Sequence, residues 1–486
     1  MAYIRKVKTK SGATAVQVVE KRSGQIINLK HIGSAHSEIQ LQMLLALARE
    51  QLHQNQQSLF PERSREPAIK LKRTASRLLF RLLEAQYQGL GFNRLDDPDF
   101  TRLCIARMVE PTSKLDSLRV LTDLGITGLT KDRLYRCLKR INAGKYREKI
   151  QQACFAAAAK KSLALVLYDV TTLYFEIQKE DGYRKPGLSK ERRLEPQIVI
   201  GLLVDQTGFP LSLQSFSGNT AETKTILPVL EVFRQEHDLP KITVVADAAM
   251  MNQTNLTTLA AAGYTYVIGS RLTKIPYNLS QCQQDNGGQL KDGQIVVERR
   301  EDCRIIYQYR EKRAALDLRN LETQIAKAKR IVLGQAPAHR SKFVSVETKG
   351  KKLNLKLIAK ARTLLGIKGY VTNVKAPDDQ IIAAYHQLFQ VEKSFRMAKS
   401  DLKARPVFHR KQEAIEAHLT IVLAALAVGR RLEARSGLSL KQLVKTLRPI
   451  RCGVIVLNHQ EYFAQEEIPE DIHILLKKLK LGALRH

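Results

Sequence analysis

Residues 163–175, LALVLYDVTTLYF, and 196–218, PQIVIGLLVDQTGFPLSLQSFSG, decide how this chain folds. The first is an apolar, β-rich run interrupted by one charge, Asp169. The second has two β-rich halves meeting at the turn signal DQTG, so three strands follow one another as hairpins. A helical pattern comes next, KTILPVLEVFRQE (224–236), and then the apolar run KITVVADA (241–248). A second helix, NQTNLTTLAAAG (252–263), leads into a strand, YTYVIGS (264–270). The order β-β-β-α-β-α-β predicts an α/β fold, a mixed sheet with helices on both faces.

That is the order of the ribonuclease-H-like fold, which needs one more helix. Residues 272–366 come first, with turn clusters, QIVVERR, CRIIYQYRE and the charged helix ALDLRNLETQIAKAKRI. They are too long and too structured for a loop, and predict an inserted β-rich subdomain. GYVTNV (369–374) then reads as a strand, and AAYHQLFQVEKSFRMAK (383–399) as the missing helix. The catalytic-type domain thus spans 161–271 and 367–435, with a C-terminal helical segment at 436–486.

Upstream, residues 1–65 read as a small β-meander (YIRKVK, TAVQVVEK, QIINLK), a helix and a polar linker. Residues 66–160 read as a helical DNA-binding region. In SKLDSLRVLTDLGITGLTKDRLYRCLKRI (113–141) two amphipathic segments flank a Gly turn, with Thr130 placed to cap the second. That second helix carries Lys131, Arg133, Arg136, Lys139 and Arg140. A DNA-reading helix-turn-helix and a two-helix packing unit with a solvated basic face fit equally well.

The 80 Lys and Arg against 47 Asp and Glu give a formal charge of +33, which suits a polyanionic partner. The most apolar run, LTIVLAALAV (419–428), is half the ~20 residues a bilayer requires, and no apolar h-region follows the basic N-terminus. Six dispersed cysteines lack zinc spacing, so free thiols in a cytoplasmic nucleic-acid binder are expected, with no membrane partner.

Two aspartates stand where chemistry is expected. Asp169 ends LALVLYD and Asp247 ends ITVVAD, at the carboxyl ends of their strands. Either alone could be a cap. In the predicted topology the first and fourth strands are neighbours, which sets the carboxylates side by side. Such a pair repels unless a cation sits between, and hard oxygens favour Mg²⁺, with Mn²⁺ as substitute. Glu392 is the candidate third ligand. Tyr385, Glu392 and Lys399 recur every seven residues, on one stripe of the expected helix, while Leu388, Phe389 and Phe395 should dock it on the sheet. Lys393, Arg396, Lys399, Lys403 and Arg405 flank Glu392 and suit DNA phosphates. A surface ion pair is the plain alternative for Glu392. Tyr168 and Tyr174 read as core aromatics rather than nucleophiles.

At these residues the sequence resembles bacterial insertion-sequence transposases of the DDE class with a YREK-type motif. YDVTT, VVADAAM and Y-x2-L-x3-E-x6-K (Tyr385, Leu388, Glu392, Lys399) match in order and spacing. The resemblance extends over nearly the whole chain, including GLLVDQTGFPLSLQSFSGNTAET and RMAKSDLKARPVFHR. It implies a ribonuclease-H-like catalytic domain, Asp169, Asp247 and Glu392 as metal ligands, and Tyr385 and Lys399 on DNA phosphates. It also implies binding of terminal inverted repeats, hydrolysis at the ends, joining of the 3′-hydroxyls to target DNA, and a dimer or higher assembly on DNA. Leu388 stands where the motif has arginine, a gap Arg396 can fill. No tryptophan is present, so a hairpin route would stack its flipped base on Tyr266, Tyr277 or Tyr307. A nuclease that never joins, or a non-catalytic DNA binder derived from a transposase, would share much of this sequence.

Overall fold

The computed structural model describes residues 2–9, 12–53, 70–159, 165–176, 179–187, 194–237, 242–270, 272, 275–285, 287, 290–337, 341–347, 350–457, 460–464 and 466–480. The polar linker expected near 54–65 lies outside them. The chain forms two compact units. The smaller contains β1 (Ala2–Lys8), β2 (Thr14–Arg22), β3 (Gln25–Ala35) and α1 (Glu38–His53). Its strands form an antiparallel meander in the order β1-β2-β3, as the Ser-Gly turns indicate. Val16, Leu45 and Ala48 are the buried centre where α1 covers it.

The larger unit begins with β4 (Lys70–Ala75) and the helices α2 (Arg77–Gln88), α3 (Pro98–Val109), α4 (Ser117–Asp123), α5 (Lys131–Ala143) and α6 (Tyr146–Ala159). Next come β5 (Leu165–Tyr174), β6 (Gln197–Asp205), β7 (Pro210–Ser217), α7 (Ile226–His237), β8 (Thr243–Ala246), α8 (Gln253–Ala261) and β9 (Thr265–Ser270). The segment after β9 holds α9 (Tyr277–Asp285), β10 (Ile295–Arg299), β11 (Arg304–Tyr309), α10 (Glu311–Val332), β12 (Val344–Glu347), β13 (Gly350–Leu353) and α11 (Leu355–Thr363). The chain ends with β14 (Ile367–Thr372), α12 (Asp378–His386), α13 (Phe389–Arg396), α14 (Gln412–Ser436), α15 (Leu440–Leu447), β15 (Cys452–Leu457), β16 (Gln460–Phe463) and α16 (Glu470–Lys478).

One mixed sheet of eight strands runs β10-β11-β14-β9-β8-β5-β6-β7. The first and fourth strands of the run starting at β5 are parallel neighbours, as the element order predicts. Asp205 builds the first hairpin turn: its Oδ1 accepts from the Thr207 and Phe209 amides at 2.8 and 2.9 Å and from the Thr207 hydroxyl at 2.7 Å. Both faces are covered. Val166, Tyr168 and Val170 pack with Ile226, Leu230 and Phe233 of α7 on one side. Leu167, Val245 and Val267 pack with Ile382, Val391 and Leu419 from α12, α13 and α14 on the other.

Two expectations change and one open choice narrows. First, β10 and β11 do not form a separate inserted sheet, because β11 pairs antiparallel with β14 and continues the main one. Among the described residues, α10, the β12–β13 hairpin and α11 have a core of their own around Leu321, Phe343 and Ile358, while α9 packs on the extended sheet around Leu279, Ile305 and Ile367. Second, the C-terminal helices are not a separate segment, since α14, α15 and α16 share one core with α2, α3, α5 and α6. The helix α14 extends well beyond its apolar run, to 25 residues, and is long and apolar enough to cross a membrane; 78% of that apolar window is buried inside the unit. Third, the basic helix α5 is partly consumed internally. Thr130 caps it as expected, but Arg133 pairs with Asp99 at 2.8 Å and Arg140 with Asp97 at 2.8 Å.

Asp97 is therefore a joint. It caps α3 through the Asp99 and Phe100 amides, accepts two bonds from Arg140, and accepts the Tyr146 hydroxyl at 3.0 Å. Burial raises its carboxyl, but the Arg140 fork and the amides outweigh that and hold it below the ordinary range. Asp97→Ala is expected to cost about 2–3 kcal/mol in urea unfolding, from the lost cap and the stranded donors. Arg140→Ala should cost less, because that side chain is half exposed. Equal costs would mean that Asp97 contributes only through the ion pair.

Candidate active site

The parallel pairing of β5 with β8 ends at Tyr168↔Ala246, and that of β8 with β9 at Ala246↔Ile268. The next residue on each strand is Asp169, Asp247 and Gly269, so these three form one row across the sheet centre. Side chains alternate along a strand, which puts all three on the face of Leu167, Val245 and Val267, under α12–α14. Asp247 ends its strand as predicted. Asp169 does not: β5 continues for five residues to Tyr174, held by its antiparallel pairing with β6 through Tyr174↔Gln197. The parallel neighbour stops at this point, so Asp169 still reaches a strand end of the parallel pair. Both aspartates are half-buried.

Asp247 is fixed on one oxygen. Its Oδ1 accepts from the Ala248 amide at 2.8 Å and from the Tyr385 hydroxyl at 2.9 Å. Burial, then the Asp247 carboxylate, pushes the Tyr385 phenol far above its ordinary value, so the hydroxyl keeps its proton and donates. Tyr385 is buried, edge-on to Tyr370 at 4.9 Å. The hydroxyl that the resemblance assigns to a DNA phosphate is engaged by the second aspartate instead. Lys368 of β14 lies over the Tyr385 ring at 5.1 Å and feels the Asp247 charge. Burial lowers its pKa while Asp247 opposes that shift. Neither Lys368 nor Gly269 stood out in the sequence. The available signal was a lysine on the same strand face as buried Tyr370 and Thr372.

Glu392 is placed differently from the expected stripe. The chain from 378 to 401 is not one helix. Leu388, Gln390 and Val391 donate their amides three residues back, to Tyr385, Gln387 and Leu388, and this tighter turn separates α12 from α13. The seven-residue period loses its phase across the break. Tyr385 points into the core beside Asp247, whereas Glu392 is exposed on α13. Leu388 and Phe395 are buried as predicted, but Phe389 is 46% exposed, with Lys393 over its ring at 4.5 Å. The helix α13 docks on the β6–β7 turn, where the Ser394 hydroxyl donates to the Gly208 carbonyl at 2.6 Å.

A one-turn π-helix, Met397–Asp401, follows and carries Lys399, while Arg396 is exposed just before it. Lys403 is exposed, and Arg405 lies over the Tyr174 ring at 5.5 Å. Val407 bonds the Tyr174 carbonyl at 3.1 Å and pairs with Phe175, which hangs this basic segment on the end of the Asp169 strand. Tyr168 is fully buried, in keeping with a core aromatic. Among the described residues no three His, Cys, Asp or Glu side chains converge closely enough to hold a metal ion. The paired aspartates are hard oxygen donors and suit a divalent cation; the exposed Glu392 does not close the set in this arrangement. A concavity of about 750 Å³ includes neither aspartate in its lining, and its Arg147 and Glu416 pair with each other.

A search of curated protein sequences found no match. The chain is similar to a cryo-EM structure of a piggyBac transposase synaptic complex with hairpin DNA, at 10% identity and a TM-score of 0.42, over 78% of this chain and 80% of that one. The family model described as the transposase DDE domain matches residues 161–428. This span includes Asp169, Asp247 and Glu392 and makes up more than half of the 486 residues, so the chain belongs to the DDE transposase family.

Proposed function

We propose that this protein is a DNA transposase of the YREK-type insertion-sequence class, with a ribonuclease-H-like catalytic domain. It binds the terminal inverted repeats of its element, hydrolyses the ends and joins the 3′-hydroxyls to target DNA. The observation that carries the reading is the row Asp169–Asp247 beyond the last parallel pair, with Tyr385 bonded to the second member. A divalent cation, Mg²⁺ or Mn²⁺, would be held by Asp169 and Asp247 as they stand, with Glu392 as the third ligand once α13 rearranges toward them, and would supply the Lewis acidity for attack on the phosphodiester. Tyr385 and the Ala248 amide keep one oxygen of Asp247 oriented, which leaves Oδ2 for that role. Lys393, Arg396, Lys399, Lys403 and Arg405 hold phosphates along the path from Glu392 to Tyr174. Two transposon ends must be held together, which calls for a dimer or larger assembly on DNA.

The test is incubation of the purified chain with Mg²⁺ and the DNA flanking its reading frame, alongside Glu392→Gln. End cleavage with joining to a second duplex, both lost in the variant, is expected. Salt-sensitive binding without a cut, unchanged by the variant, would reduce the protein to a DNA binder. Cutting without joining would make it a nuclease.

Arg396 carries a separate expectation, since Leu388 occupies the arginine position of the motif. Arg396→Ala should weaken DNA binding about tenfold and lower the salt slope by about 1. Leu388→Ala, at a buried site, should cost about 2–3 kcal/mol of stability and leave cleavage per folded molecule unchanged. The opposite pattern would remove Arg396 from the phosphate path.

A further inference from the structure

Beside the catalytic sheet, α3, α14 and the segment after the π-turn enclose a cluster of basic groups that the proposed chemistry does not use. Arg107 and Lys114 are buried, at 8% and 6% exposure, and His418 at 4%. His418 Nε2 lies 3.2 Å from the Ala404 carbonyl, so this nitrogen carries the proton and donates. Nδ1 is then an acceptor, and Arg107 Nη2 and Lys114 Nζ lie 3.4 and 3.5 Å from it. The His409 ring stands 5.5 Å from that of His418.

Buried cations are normally paired with carboxylates. Here, among the described residues, no carboxylate bonds to any of the four groups. The acids nearest in sequence are engaged elsewhere: Glu110 by Arg119 and Arg448, and Asp116 by Arg119. Burial and mutual repulsion lower the pKa values of Lys114 and His418, that of His409 falls to about 4, and burial takes Arg107 to about 10. Arg184, the other buried Lys or Arg among the described residues, pairs with Asp181 at 2.7 Å, so the missing counter-charge sets this cluster apart.

We propose that Arg107, Lys114 and His409 form a binding site for a phosphate group, which supplies the absent negative charge, with His418 positioning Arg107 and Lys114 through its Nδ1 acceptor. The segment 403–411 lies between the cluster and solvent: His409 is half-buried in it, and Lys403, Phe408 and Arg410 are exposed. Val407 ties that segment to Tyr174, five residues along β5 from Asp169, or about 17 Å at strand rise. This length corresponds to about five base pairs of duplex. Taking Val407 as the near edge of the site, a backbone phosphate at about that separation from the cut, half a helical turn, is the favoured source. That choice of source rests on the functional reading above; the phosphate site itself does not.

Two arms test it with the full chain. In the first, thermal unfolding is compared in inorganic phosphate and in chloride at equal ionic strength. Phosphate should raise the unfolding temperature of the wild type, and Lys114→Met should abolish the difference. If that variant does not fold, ¹⁵N-histidine spectra of the wild type serve instead, with the His418 Nδ1 signal moving on phosphate addition. In the second arm, single methylphosphonates are walked along the element-end duplex. One position about half a turn from the cut should weaken wild-type binding about tenfold and Lys114→Met binding not at all. A phosphate effect without a coupled DNA position supports the site with free phosphate as its ligand. No effect of phosphate or of any methylphosphonate on the wild type would overturn it. If the chain neither cuts nor joins DNA and phosphate still stabilises it, the functional reading falls and the site stands.

Discussion

Asp247→Asn, and equally Asp169→Asn, is expected to lower single-turnover end cleavage by a thousandfold or more, roughly 4 kcal/mol of transition-state stabilisation. The substitution is nearly isosteric, and at position 247 the amide oxygen can still accept from Ala248 and Tyr385, so the loop after β8 keeps its shape. What disappears is one negative charge and one hard anionic donor. Affinity for the DNA end at fixed salt should stay within a few-fold, because the phosphate contacts lie elsewhere. A fall of less than tenfold in the cleavage rate would take that aspartate out of the chemistry.

The second large effect is expected at Gly269. A Cβ there would lie 2.7 Å from the Tyr385 hydroxyl, 3.2 Å from the Ala248 amide and 3.3 Å from Asp247 Oδ1. The row therefore has room for two carboxylates and no third side chain. Gly269→Ala should cost about 1–3 kcal/mol through overpacking. It should also move Asp247 enough to lower cleavage about a hundredfold. Since the closest clash is with the phenol oxygen, adding Tyr385→Phe should recover part of the lost stability. It should not recover the activity, because the bond to Asp247 is gone as well. If the double variant were no more stable than Gly269→Ala alone, the contact with Tyr385 would not be what limits the site.

The sheet and the aspartate pair were legible in the sequence because both depend on local pattern. Three apolar runs, a DQTG turn and two alternating helices determine neighbours almost without choice, and the carboxylates follow from the register. Glu392 was harder. Its spacing from Tyr385 is regular in sequence, but geometry depends on an unbroken helix, and the three-residue hydrogen bonds at 388–391 rotate the two halves relative to each other. The basic face of α5 was ambiguous for a related reason. Arg133 and Arg140 look like DNA contacts until Asp97 and Asp99, more than thirty residues earlier, arrive to pair with them. The strands β10 and β11 resembled an independent insertion because β14, which recruits them, lies some sixty residues further on.

That recruitment has a consequence for any shortened relative. With β10 and β11 in place, every backbone donor and acceptor of β14 from Ile367 to Thr372 that faces outward meets a partner strand. Trimming the chain from the end of β9 directly to β14 would remove no part of the aspartate row. It would, however, bare a six-residue flank of unpaired peptide groups beside Tyr370, a ready template for stacking one molecule against the next. The inserted region thus acts as an edge guard. A viable deletion must keep 295–309, or replace them with a covering helix, a proline or a charged bulge along that flank.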